Sequence, residues 1–121
     1  MSPEEHRLKA QRIERSVSLL GEQDWEMKIE AAMLGGTHWA NYALHRRGLS
    51  GEGDDIVHTS MLVVNTLRKY SIVEGELLSA LSEIEELRPL YVRGDVPDAQ
   101  RAAARALELL RSISQRARSV P

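Results

Sequence analysis

The chain has 121 residues, no cysteine, and 18 acidic against 16 basic side chains, for a formal charge of −2. That length fits a single domain spanning 1–121 with a core large enough to need no staple. Disulfide and thiolate chemistry are excluded. The charge argues against general binding to a nucleic-acid backbone, which depends on neutralising many phosphates.

No apolar run approaches the ~20 residues of a membrane span. The opening MSPEEHRLKAQ lacks the pattern of a signal peptide, so the chain reads as soluble, cytoplasmic and without a membrane partner. Charge is uneven, however. From Arg88 onward there are seven arginines against Asp95, Asp98 and Glu108, a local net of +4, which suits an anion, an acidic partner or a solvated helix face.

Helical spacing runs throughout, with no competing strand pattern. Ser2-Pro3-Glu4-Glu5 offers a capping side chain, a first-turn proline and acids at the positive helix end. Ala10, Ile13, Val17 and Leu20 then recur at helical intervals up to Gly21. This narrow stripe predicts an outer helix.

A second helix is expected from Asp24 to Arg47, stopped by Gly48. One face carries Trp25, Ile29, Ala32, Met33, Gly36, Trp39, Ala40, Ala43 and Leu44; the other holds Met27, Ala31, Leu34, His38, Asn41, Tyr42 and His45. A helix apolar or semi-polar all round is covered on both sides. It is therefore the central helix, or its second face meets another subunit. Gly35 and Gly36 each cost about 1 kcal/mol relative to alanine in a helix. Close approach of another helix is the simplest offset.

The loop 48–54 is glycine-rich, and Asp54 or Asp55 is placed to cap a third helix reaching Tyr70. Ser71-Ile72-Val73-Glu74 matches a capping box, and Leu77, Leu78, Leu81, Ile84 and Leu87 carry a fourth helix to Pro89, where a break is expected. After a connector, the stripe Ala99, Ala102, Ala103, Ala106, Leu109, Leu110, Ile113 and Ala117 marks the last helix. The fold class is all-α, an antiparallel up-and-down bundle of four to five helices.

Polar chemistry concentrates between Thr37 and His58, which holds three of the four histidines. His38 and His45 are seven residues apart, about 10.5 Å along one helix axis, too far to share one ion unaided. If the glycine-rich loop folds back, His45, Asp55 and His58 converge on a zinc-like or di-metal centre. No serine or threonine nucleophile stands in a recognisable motif.

The layout resembles the HEPN superfamily of small helical bundles. The resemblance rests on Ala31-Ala32, His38-Trp39, Ala43-Leu44 and Gly48, then on Asp55-Ile56-Val57-His58-Thr59, and finally on the 87–94 segment before the alanine-rich helix. It implies a groove for nucleotide or RNA near His58, Arg88, Tyr91 and Arg93, a tendency to dimerise, and a nucleotidyltransferase-type protein partner. The ribonuclease members' pairing of an arginine with a histidine after four to six intervening residues is absent.

The sequence thus leads to a homodimeric, non-catalytic HEPN-like module without a cofactor. His38, Asn41, Tyr42, His45 and His58 would supply directional hydrogen bonds, and Arg88, Tyr91 and Arg93 would complete an anion, nucleotide or partner site. The alternative is a metal-dependent hydrolase of four-helix type with His45, Asp55 and His58 as ligands to a divalent metal such as zinc. A third possibility is a purely structural assembly subunit.

Overall fold

The structure is a computed structural model that describes residues 1–56 and 74–121. Among these residues are four helices, α1 (Pro3–Val17), α2 (Trp25–Arg46), α3 (Gly75–Tyr91) and α4 (Ala99–Arg118), and no strand. None of them is long and apolar enough to cross a membrane. The helix expected to reach Tyr70, and the capping box proposed at Ser71, fall largely or wholly outside the described residues.

Ser2 caps α1 as expected. Its hydroxyl accepts from the Glu5 N–H, and the Glu5 carboxylate accepts from the Ser2 N–H at 2.7 Å, so two otherwise unpaired donors are satisfied together. Gly48 ends the second helix with φ +72°, a conformation that costs glycine little.

Pro89 does not end the fourth predicted helix, which continues to Tyr91. A proline this close to the C-terminus removes a single late hydrogen bond. The chain then closes with Val92 and Arg93 donating to the Arg88 carbonyl and Gly94 to that of Pro89, each at 3.0 Å.

Three salt-bridge sets fix the helix directions. Glu74, before α3, meets Arg47 at the end of α2 and Arg116 near the end of α4, the latter at 3.0 Å. Arg88 at the far end of α3 meets Glu30 near the start of α2 at 2.6 Å, and Glu83 meets Arg105 at 2.6 Å. Helix α3 therefore runs antiparallel to both α2 and α4. Helix α1 is also antiparallel to α2, because His6 lies by His38 while Ile13 lies against Gly35.

Helix α2 packs against all three others, so its two-sided pattern marks a central helix. Side chains of all three other helices press on the paired glycines. A Cβ on Gly35 would lie 3.3 Å from Ile13 and Leu110, and one on Gly36 would lie 3.1 Å from Leu81 and 3.3 Å from Ile113. Trp39, Ile29, Met33, Leu44, Leu77, Leu81, Ile84 and Ile113 form the buried centre. Helix α1 contributes little apolar material to it; its buried residues are His6 and Ala10.

Candidate metal centre

His6 continues the stripe Ala10, Ile13 and Val17 backward by one helical turn, which turns its imidazole onto α2. It is 1% exposed. Its ring stands between those of His38 and His45, with centroids 5.2 and 5.3 Å away. The two-turn gap between the α2 histidines is thus bridged by a third imidazole from another helix.

Asp55 reaches the same place because the 47–56 loop is pinned at several points. Leu49 N–H donates to the Leu44 carbonyl at 2.9 Å, and Gly51 accepts from Asp54 at 2.9 Å. Asn41 then clasps the loop's end. Its amide nitrogen donates to the Ile56 carbonyl at 3.2 Å, and its oxygen accepts the Ile56 N–H at 2.7 Å. With both ends of its amide occupied by backbone, Asn41 holds the loop in place.

One carboxylate oxygen gathers the cluster. Asp55 Oδ1 lies 2.9 Å from His6 Nε2 and 2.7 Å from His45 Nε2, while the amine of Met1 donates to Asp55 Oδ2 at 3.1 Å and to the Glu52 carbonyl at 2.9 Å. Each ring also has a partner for its second nitrogen. His6 Nδ1 is 2.9 Å from His38 Nδ1, and His45 Nδ1 is 2.7 Å from Ser50 Oγ and 3.2 Å from the Ser50 carbonyl.

These contacts dictate the tautomers of the metal-free cluster. A carboxylate only accepts, so both Nε2 atoms carry hydrogen. With neutral rings, His6 Nδ1 then accepts from His38 Nδ1–H, and His45 Nδ1 accepts from the Ser50 hydroxyl. Burial pushes His6 below its ordinary 6.5, more than the Asp55 carboxylate draws it back up. Burial also works to raise the Asp55 carboxyl, but bonds from His6, His45 and the Met1 amine outweigh it and hold it at about 2.

The same geometry fits a metal ion. His6, His45 and Asp55 offer one ligand atom each, all within 4.8 Å of one another. Tetrahedral N and O ligands at ~2.0–2.2 Å from zinc are separated by about 3.4 Å, so the two short N–O distances would open by about 0.5–0.7 Å. Two histidines and a carboxylate with a remaining open position form a recurrent metal-ligand set.

The remaining expected site residues are distributed differently. His58 lies outside the described residues, and His6, absent from the sequence-based ligand set, supplies the second imidazole. Tyr42 packs edge-on against Trp39 at 5.5 Å, with the Arg46 guanidinium over its ring.

Arg88 is held by Glu30 and Glu85. Glu30 and His45 are fifteen positions apart on α2, about 22 Å along its axis, so Arg88 sits far from the histidines. Tyr91 follows it as the last residue of α3, and Arg93 lies in the turn just beyond. The basic C-terminal segment is also largely paired internally, with Arg88, Arg105, Arg116 and Arg118 each meeting a glutamate. The expected continuous groove from His38 to Arg93 is therefore not assembled among the described residues.

A groove of about 620 Å³ between α1 and α2, lined by Ile13, Val17, Leu20, Met27, Ala31 and Leu34, touches none of the histidines. No protein-family model, curated protein or solved structure matches the chain, and the HEPN-like expectation draws no support from them.

Proposed function

We propose that this chain is a metal-binding helical bundle whose centre is formed by His6 Nε2, His45 Nε2 and an Asp55 carboxylate oxygen. One observation carries the proposal. Two buried imidazoles from different helices converge on a single carboxylate oxygen, while each keeps a second partner for Nδ1. That second contact is what orients a ligating histidine and raises its basicity.

The donor set of two imidazoles and one carboxylate suits zinc and neighbouring divalent transition ions better than calcium or magnesium, which prefer oxygen. Asp55 is the most exposed member at 31%, against 2% for the side chains of His6 and His45. A fourth position on that side is accessible to water, whose activation by such an ion is the chemistry of metal-dependent hydrolysis. The first structural consequence is mechanical: the ion ties α1 to α2 and to the loop end.

Zinc titration by calorimetry tests this. One ion per chain is expected, with binding lost in His45→Ala and Asp55→Asn variants that retain their helical circular dichroism. Wild-type protein that takes up no zinc, or variants that bind it unchanged, would overturn the assignment.

A further inference from the structure

We infer that His38 is a positioning residue for the metal centre, acting through His6 by exchanging the proton between their two Nδ1 atoms. This role rests on the metal centre proposed above and specifies how that centre is loaded. Two imidazole nitrogens 2.9 Å apart require one hydrogen between them, so the donor on one ring dictates the acceptor on the other.

In the metal-free cluster the hydrogen belongs to His38, because His6 uses its own at Nε2 toward Asp55. A ligating His6 must present a lone pair at Nε2. Its hydrogen then resides on Nδ1 and points to His38, whose Nδ1 becomes the acceptor while its own hydrogen moves to Nε2. The balance closes in three moves: His38 passes its Nδ1 proton to His6 Nδ1, His6 releases its Nε2 proton to solvent past Asp55, and His38 takes one up from solvent at Nε2, so each neutral ring keeps one N–H and no net proton is gained or lost. His45 makes the matching change against Ser50, whose hydroxyl turns and whose carbonyl accepts at the observed 3.2 Å.

Only a group able both to donate and to accept can face His6 Nδ1 in the two states. His38 meets that requirement, as would an asparagine amide; an aliphatic side chain does not. An aliphatic replacement leaves His6 Nδ1 without a partner in both states, as a lone acceptor in one and as a buried N–H in the other, and the loss is greater with the ion bound, where the metal polarises that N–H and the outer hydrogen bond raises ligand basicity. Outer partners of this kind typically change metal affinity by about 10- to 100-fold.

The experiment is cobalt(II) titration of wild type, His38→Leu and His38→Asn, read by visible absorption, with nitrogen NMR of the wild-type His6 and His38 rings before and after zinc. The expected result is a loss of about 10- to 100-fold in His38→Leu with an altered cobalt spectrum, and recovery of most of the affinity in His38→Asn. The His6 hydrogen is expected to move from Nε2 to Nδ1 on loading.

Wild-type affinity and spectrum in folded His38→Leu would overturn the role of His38 while leaving the centre intact. Should His38→Leu fail to fold, a His38 ring that keeps its hydrogen on Nδ1 in the zinc-loaded wild type would overturn it equally. Absence of cobalt binding by wild type would instead remove the centre itself.

Discussion

His6 and His38 are separated by 32 positions, yet their Nδ1 atoms lie 2.9 Å apart. This contact joins the first turns of α1 to the middle of α2 at a place where α1 has little apolar surface to offer. Removing His6 deletes two side-chain hydrogen bonds and opens a cavity, so His6→Ala should destabilise the metal-free protein by about 3 kcal/mol. Urea denaturation checks this; a loss below about 1 kcal/mol would mean that the contact does not dock α1.

Metal-free protein should lose stability on acidification in two stages. The folded His6 takes up a proton below its ordinary 6.5, so the unfolded chain binds the proton first and stability falls as pH drops from 6.5 toward the lowered folded value. Asp55, ordinarily 3.8 and about 2 when folded, adds a second loss as pH falls from about 4 to 2. Denaturation midpoints measured in chelator should show both stages, and His6→Ala should abolish the first. A midpoint unchanged between pH 7 and 5 would contradict the neutral buried His6.

Loading the centre should protect α1. Amides of residues 7–17 are expected to exchange more slowly when zinc is added, with the slowing absent in Asp55→Asn. Uniform slowing of all four helices would indicate general stabilisation in place of a clamp on α1.

The fold was legible because its signals are local. The Ser2–Glu5 capping box, the Gly48 stop and the apolar arcs of α2, α3 and α4 each depend on neighbours within a turn or two. The site was half legible. His45 and Asp55 are ten residues apart, and a folded-back loop joins them as the sequence suggested. His6 carries no local mark of its role because its partners lie 32, 39 and 49 positions away, although its place four residues before Ala10 and seven before Ile13 puts it on the buried stripe. Arg88 looked available to an anion because nothing local reveals Glu30, 58 residues distant.

Arg88 should therefore behave as a structural residue. Its guanidinium bridges Glu30 and Glu85 at 16% side-chain exposure, so Arg88→Ala should cost about 1–3 kcal/mol of stability while leaving zinc affinity within twofold. Thermal melts and calorimetry on one sample separate the two effects. A marked loss of zinc binding in the folded variant would place Arg88 closer to the centre than the helix geometry allows.

Gly36 tests the packing on the other side of α2. A leucine there must displace Leu81 and Ile113, already 3.1 and 3.3 Å from a bare Cβ, and should destabilise by about 2–3 kcal/mol. Gly53→Ala, with no atom within 4 Å, should stay near neutral. Equal melting temperatures for the two variants would show that the close approach at Gly36 does not constrain the bundle.

The most direct test of the metal centre is anomalous diffraction at the zinc edge from crystals grown with zinc. A single strong peak per chain is expected, about 2.0–2.2 Å from His6 Nε2, His45 Nε2 and an Asp55 carboxylate oxygen, with the His–Asp distances opened. Crystals that keep the direct 2.7 and 2.9 Å contacts and show no peak between these residues would contradict the account.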